Sequence, residues 1–315
     1  MSNTFNALTA AHFHHSDPGI TWDKDPQIAI DLDSPLDSDR ILTPNVVRLP
    51  TGGYRMYYTG RGPAHSDPNA VGYILSAYSA DGQNWSKDEG IRIDLHAPHA
   101  TSRTLCPDVV PLPDGTWRMY YEARSGDQPT TILSAFSSDG LEWTLEDGIR
   151  FGDGAWSYGT PRCLYLADSQ CRLYFHRYTH PLNYEPNAGN HIISALSADG
   201  LNFTEEPGVR IAQESERETL AVYAPEVIRL GNGSYRMYYS AWTKEIAGGI
   251  FTATSIDGLD WTKKERPCLD LGASLDCNMV SEPCVTELPD GRARLFYEAR
   301  DKEGYCRILS ATSPT

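Results

Sequence analysis

Three carboxylates flank recurring prolines: Asp108 follows Pro107, Glu226 follows Pro225, and Glu282 precedes Pro283. Arg162 holds the matching place after Pro161. A second recurring place carries Glu122-Ala123-Arg124, His176-Arg177 and Glu298-Ala299-Arg300. Residues two apart on a strand share a face, so each Glu and its Arg project together. Carboxylates crowded at one point shift each other's pKa values, as general acid–base chemistry requires, and Arg and His beside them can bind anions or move protons. Plainer readings stand beside this one. The Glu-x-Arg pairs could be ion pairs between neighbouring repeats. Asp108 and Glu226 could cap loop amides, and Glu282 could be a rim residue.

These groups are positioned by a unit that the chain states five times. Pro44, Pro107, Pro161, Pro225 and Pro283 each open a copy, at intervals of 63, 54, 64 and 58 residues. Eleven residues after each proline stands Arg, then Met or Leu, then two aromatics: Arg55-Met56-Tyr57-Tyr58, Arg118-Met119-Tyr120-Tyr121, Arg172-Leu173-Tyr174-Phe175, Arg236-Met237-Tyr238-Tyr239 and Arg294-Leu295-Phe296-Tyr297. Ser-x-Asp-Gly turns follow at Ser79, Ser137, Ser197 and Ser255, each ending on an aromatic: Trp85, Trp143, Phe203 and Trp261. Asp-Gly makes a tight hairpin turn, whose Ser and Asp can bond the turn amides while the aromatic packs beneath. These turns resemble the Asp-box of sialidase-like propellers, with a shorter turn.

Short strands with no 3.6-residue period, repeated every roughly 50 to 65 residues, predict an all-β fold, a five-bladed β-propeller; a β-sandwich has no reason to repeat this way. The fifth copy stops before its turn. The missing piece stands at the other terminus, as Ser16-Asp17-Pro18-Gly19-Ile20-Thr21-Trp22 followed by the strand-like Gln27–Ile30. An N-terminal outer strand should therefore complete the last blade and close the ring. The expectation is one domain over 1–315, with 1–15 loose at its start. The His-rich Ala11–His15 reads as packing or tail.

In such a ring the mouth is lined by first-strand starts and second-strand ends. That makes Asp108, Glu226 and Glu282 the catalytic candidates. Glu122, Arg124, Arg162, His176, Arg177, Glu298 and Arg300 are candidates for substrate binding, with Tyr158 and Tyr223 from the loops. The loops also hold Arg40, His96, His99, Arg103, Trp156, His180 and Tyr184. A lectin built of repeats would place the same residues in every blade. Here the residue after the proline differs each time (Asn45, Asp108, Arg162, Glu226, Cys284), which favours one asymmetric axial site.

The formal charge of −15 argues against a nucleic-acid or anionic-membrane partner. A small molecule or oligosaccharide fits better, and oligomeric state leaves no mark. No stretch is apolar enough to span a bilayer, and the N-terminus lacks the basic start and long apolar run of a signal peptide. Seven cysteines, an odd number without a C-x-x-C pair, suit a reducing compartment such as the cytoplasm. The spacing for structural zinc is absent, and no cofactor is expected; an ion on the axis would escape any spacing rule.

The chain resembles the five-bladed propeller superfamily of glycoside hydrolases, which includes arabinanases and β-xylosidases, invertases and mannoside phosphorylases. The resemblance rests on the blade number, the Tyr-Glu-Ala-Arg strand ends, the Ser-x-Asp-Gly-x-x-Trp turns and the Pro-Asp-Val or Pro-Glu-Val strand starts. Ala224-Pro225-Glu226-Val227 looks like the Ala-Pro-Glu/Asp-Val of the arabinanases, and Ser281-Glu282-Pro283 like the segment around their acid glutamate. It implies cleavage of a glycosidic bond, with Glu282 or Glu226 as acid and Asp108 as base. Two positions depart from the pattern. Thr43 stands where the group carries its base Asp, and the invertase Asn-Asp-Pro-Asn is missing, since Asp67-Pro68-Asn69 lies in a loop. A phosphorylase using an Arg/His cluster, a lyase, isomerase or cyclase in the same mouth, and a non-catalytic sugar-binding propeller remain open alternatives.

Overall fold

A computed structural model describes residues 13–14, 16–62, 71–166, 170–179 and 188–314. The triplet at Asp67, the loop candidates His180 and Tyr184, and most of the His-rich segment lie outside them. The described residues form strands and turns without a helix.

Five antiparallel units follow one another. Unit 1 comprises Arg40–Arg48, Tyr54–Arg61, Gly72–Ser79 and the short Ser86–Lys87; unit 2, Arg103–Pro111, Trp117–Arg124, Thr131–Ser137 and Thr144–Leu145. Unit 3 holds Ser157–Tyr165, Cys171–Tyr178, His191–Ser197 and Thr204–Glu205; unit 4, Ala221–Leu230, Tyr235–Trp242, Ala247–Ser255 and Thr262–Lys263. Unit 5 has Met279–Glu287, Ala293–Arg300 and Cys306–Thr312, and its outer strand is Asp23–Ile30, antiparallel to Cys306–Thr312. The strand expected from the other terminus is there. First strands touch in cyclic order, with the first strand of unit 5 back against that of unit 1.

The repeated Arg and aromatic residues are the means of that closure. Each Asp-Gly turn is self-capped: Ser79 Oγ accepts the Gly82 amide at 2.9 Å, and Asp81 Oδ1 accepts those of Gln83 and Asn84 at 2.8 and 2.9 Å. The turn is then gripped by the preceding unit. The hydroxyls of Tyr57, Tyr120 and Tyr174 donate to the carbonyls of Gly140, Gly200 and Gly258 at 2.7–2.9 Å. Tyr238 finds the same partner in Gly19 of the N-terminal segment, at 2.9 Å. The aromatic ending each turn packs edge-on against the preceding unit's ring: Trp143 on Tyr57, Phe203 on Tyr120, Trp261 on Tyr174, Trp22 on Tyr238 and Trp85 on Phe296, at 5.6–6.1 Å. So the turn aromatics staple neighbouring units as well as filling the space under their own turn. Edge-to-face pairs of this kind contribute about 0.5–1.5 kcal/mol each beyond their burial.

Gly200 shows why the turn needs glycine. Its φ is +72°, and a Cβ there would meet Arg118 Nη1 at 2.5 Å and the Tyr120 hydroxyl at 2.9 Å. Gly115 also has positive φ, +87°, but open space around it. Both Gly→Ala changes carry the left-handed penalty of about 1–2 kcal/mol, and only Gly200→Ala also displaces the staple. Urea denaturation should show Gly200→Ala to be the more destabilising by a further ~1–3 kcal/mol; equal losses would mean that the staple contributes nothing.

Candidate functional site

The inner strands begin four residues before their prolines, at Arg40, Arg103, Ser157, Ala221 and Met279, so each proline lies inside a strand. Proline has no amide to give the ladder, and every unit breaks register there: between Leu42 and Asn45, Leu105 and Asp108, Gly159 and Arg162, Tyr223 and Glu226, and Ser281 and Cys284. At each bulge the residue before proline is left-handed: Thr43, Cys106, Thr160, Ala224 and Glu282 have φ of 47–56°. Five non-glycine residues in this region, two of them β-branched, store about 1–3 kcal/mol of strain apiece. Their side chains ring the axis.

One layer deeper lies the ring of residues that follow the prolines, and here a pattern of acceptors emerges. Asn45 Oδ1 accepts the Val109 amide (3.0 Å), Asp108 Oδ2 that of Cys163 (2.6 Å), Glu226 Oε1 that of Val285 (3.0 Å), and Cys284 Sγ that of Val46 (3.2 Å). Units 1, 2, 4 and 5 thus each satisfy the next unit's bulge. Arg162 cannot accept. It donates instead to Glu226 Oε2 at 3.0 Å and to the carbonyls of Pro44, Pro107 and Pro161. Asp108 Oδ1 also takes the Asn45 amide group at 3.0 Å.

Burial pushes the Asp108 carboxyl up to about 7, against the pull of Arg162 and the Cys163 amide. Burial likewise raises Glu226, opposed by Arg162. Both carboxylates are buried and occupied, and neither borders the open mouth. Asp108, Glu226 and Arg162 therefore sit in an axial plug beneath the cavity, while Glu282 reaches it.

The cavity above the plug has a volume of ≈ 470 Å³. Its floor carries three glutamates, Glu122, Glu282 and Glu298. Glu298 Oε2 accepts from the Ser281 hydroxyl at 3.5 Å, the Glu282 amide is held by Ser240 Oγ at 2.8 Å, and the Thr43 hydroxyl donates to the Glu282 carboxylate. Burial and the adjacent Glu282 carboxylate push Glu298 well above the usual carboxylate range, despite the opposing pull of Arg300. Glu122 is raised by burial, with Arg103 favouring its charge and Glu282 opposing it. Gly159 makes room for Glu122, since a Cβ would collide with its carboxylate and with the His176 ring. Burial lowers His176 to about 4, so it is neutral at pH 7, and it bonds Thr160 Oγ1 through Nδ1 at 2.7 Å.

The two sides of the cavity differ. Units 5, 1 and 2 contribute Arg300, Arg40, Arg103 and Arg124; units 3 and 4 contribute His176, Tyr178, Tyr223 and Trp242. His176 stacks on Tyr178 at 4.7 Å and meets Tyr223 edge-on at 6.0 Å.

Of the substrate-binding candidates, Glu122, Arg124, His176, Tyr223, Glu298 and Arg300 converge on the cavity. Arg177 turns outward, over the Trp156 ring at 5.0 Å and 3.9 Å from Glu205. Tyr158 is a core residue between Phe151 and Phe175, with its hydroxyl on Asp153 at 2.8 Å. His96 bonds the Tyr121 hydroxyl at 2.9 Å and does not line the cavity. Arg40 and Arg103 belong to strand ends, not loops. Trp242, at a second-strand end, lines the cavity, and so does Tyr178, which sequence reasoning missed although both occupy the same position as Arg124 and Arg300, seventeen residues after the proline. A second cavity, ≈ 480 Å³, lies at the Ser16–Pro18 and Asp290–Arg292 turns and gathers no comparable acid–base set.

A glycoside hydrolase superposes with a TM-score of 0.78 over 93% of each chain at 16% identity. A thermostable family-43 glycoside hydrolase gives 0.70 at 20% identity, over 86% of this chain and 88% of that one. A structure from the GH130 family of mannoside phosphorylases, which contains glycoside hydrolases that target beta-1,2 mannosidic linkages in Candida mannan, gives 0.71 at 14% identity over 92% and 93%. The fold is that of the propeller glycoside hydrolases. At these identities the likeness is one of fold. No family model matches the chain. Two uncharacterised proteins of Mycobacterium tuberculosis are similar in sequence. MT1551 (strain CDC 1551 / Oshkosh) is 34% identical over 130 residues, 39% of this chain and 42% of that protein. Rv1502 (strain ATCC 25618 / H37Rv) is 28% identical over 158 residues, 48% of this chain and 49% of that protein. The match thus spans less than half the length of either.

The plug yields a stability prediction. Asp108→Asn replaces one acceptor by a donor facing either the Cys163 amide or the Asn45 amide group, and should cost about 1–3 kcal/mol in urea unfolding. The Asp108 carboxyl titrates higher in the folded chain than its ordinary 3.8, so its contribution is full below 3.8 and is lost as pH rises to about 7. Asp108→Asn should flatten the pH dependence of stability in that window. An unchanged profile would mean that Asp108 is not held as described.

Proposed function

We propose that the chain is a carbohydrate-active enzyme, a single five-bladed propeller over 1–315 that cleaves a glycosidic bond in its axial mouth by carboxylate acid–base catalysis. The observation that carries this reading is the convergence of Glu122, Glu282 and Glu298 on the cavity floor, with Glu298 raised by burial and by Glu282.

Burial and the adjacent Glu282 carboxylate favour the protonated form of Glu298, because neighbouring carboxylates resist ionising together. That proton is the one to give to the glycosidic oxygen as the leaving group departs. Glu122 is the second carboxylate. Arg103 favours its ionised form, in which it activates water or attacks the anomeric carbon. In this proposal the Glu298–Glu282 pair and Glu122 take the acid and base roles that the resemblance implies for Glu282 or Glu226 and for Asp108. Neutral His176, Tyr178, Tyr223 and Trp242 offer faces on which a sugar ring can stack. A cavity of this size takes a small glycoside or the end of an oligosaccharide. The seven free thiols suit a reducing compartment such as the cytoplasm.

A panel of chromogenic glycosides, assayed with and without phosphate, tests the reaction and separates hydrolysis from phosphorolysis. Glu298→Gln, Glu282→Gln and Glu122→Gln should each lower kcat/KM by about 100-fold or more on the cleaved glycoside. Turnover should fall off at high pH through a group titrating above the ordinary carboxylate range, because the acid form of the pair is the active one. Full activity in Glu298→Gln, or an alkaline limit at ordinary carboxylate pH, would remove the pair from the mechanism.

A further inference from the structure

Four arginines on one side of the cavity have more charge than the site's own carboxylates need. Arg103 stands directly across the strand pair from Arg124, and Arg40 from Arg61. Like charges placed opposite on neighbouring strands destabilise a sheet, yet two consecutive units do this at the mouth. Burial and Arg103 lower the basicity of Arg124, and burial and Arg40 lower that of Arg61. Among the described residues, Arg103, Arg124 and Arg300 form no ion pair, and Arg40 meets only Asp39, at 3.7 Å. The Nε atoms of Arg40, Arg124 and Arg300 are buried without a hydrogen-bond partner. Cavity-lining residues include no lysine and no aspartate. Four arginines thus face three glutamates, so cations outnumber carboxylates at the mouth of a chain of charge −15.

We infer that the arginines of units 5, 1 and 2 form an oxyanion subsite, and that the ligand is a sugar bearing a carboxylate or phosphate group. This rests on the carbohydrate reading above and narrows it to anionic sugars. The arrangement across the mouth supports an anion carried by the sugar itself. The aromatic side, at Tyr178, Tyr223 and Trp242, suits the ring. The guanidinium side, across the floor, suits the charge, and planar guanidinium groups bind carboxylate and phosphate through paired N–H bonds. A free phosphate bound beside a neutral sugar would use the same groups, and the test separates the two.

Binding is read by calorimetry and by intrinsic tryptophan fluorescence, independently of turnover. The probes are D-glucuronate, D-galacturonate and glucose 6-phosphate, against D-glucose and D-galactose, and inorganic phosphate alone. At least one anionic sugar should bind about tenfold or more tightly than its neutral counterpart, with an affinity that falls as salt rises. Arg124→Gln should weaken that binding by about tenfold, with Arg124→Lys between, and should raise KM more than it lowers kcat on an anionic glycoside. Competition between phosphate and the anionic sugar supports the subsite. Phosphate binding that strengthens neutral-sugar binding, with no preference for anionic sugars, overturns the inference of a sugar-borne anion.

Equal affinity for charged and neutral sugars in the wild-type protein overturns the inference whether or not the variants fold. Anionic sugars bound tightly without cleavage of any glycoside would leave the subsite standing and remove the proposed reaction. Neutral glycosides cleaved as well as anionic ones would do the reverse.

Discussion

A proline in every inner strand is the constraint from which the rest of this molecule follows. It removes a ladder donor, opens a bulge and leaves the preceding residue left-handed. The displaced amides must still find acceptors, and they find them in neighbouring units. Thr59 Oγ1 takes the Cys106 amide, Thr160 Oγ1 that of Ala224 and Ser240 Oγ that of Glu282. The deeper amides go to Asn45, Asp108, Glu226 and Cys284. A local defect repeated in each unit thus becomes the bonding that ties the units together on the axis.

That bonding divides the axial charges into two classes. Side chains following the prolines are committed to the next unit, which is why Asp108 and Glu226 have no spare oxygen to offer a ligand. Arg162 breaks the acceptor pattern, being a donor, and neutralises the plug by pairing with Glu226 while it ties three proline carbonyls together. Side chains preceding the prolines, and those at the second-strand ends, lie one layer nearer solvent. There Glu282, Glu298 and Glu122 line the open cavity, and burial, with repulsion from Glu282, raises the proton affinity of Glu298 and Glu122.

The strain at the bulges has a bearing on the site. Glycine would relieve a left-handed backbone, yet the five positions carry Thr43, Cys106, Thr160, Ala224 and Glu282. Four of these line the cavity. Thr43 bonds Glu282 and Thr160 bonds His176, so glycine there would remove the groups that orient the floor. Backbone strain held where side chains are needed is a usual mark of a functional site.

Much of the architecture was legible in the chain itself. The proline interval, the Arg-Met-Tyr-Tyr offset and the Ser-x-Asp-Gly turns determine repeated antiparallel units, because a residue needed by every unit must recur at a fixed spacing. The Ser16–Trp22 segment likewise announced that the N-terminus completes the last unit. Glu282 was placed at the mouth by its first-strand start, and Glu122, Glu298, Arg124, Arg300 and His176 by second-strand ends. What the tertiary structure decided is depth and partnership. Asp108 and Glu282 stand on opposite sides of a proline, and in the chain they look equivalent. Only the bulge puts one under the floor, bonded to the next unit, and the other in the open cavity. The pairing of Arg40 with Arg61 and of Arg103 with Arg124 was equally hidden, because a cross-strand neighbour is set by register, and register is shifted by the same prolines.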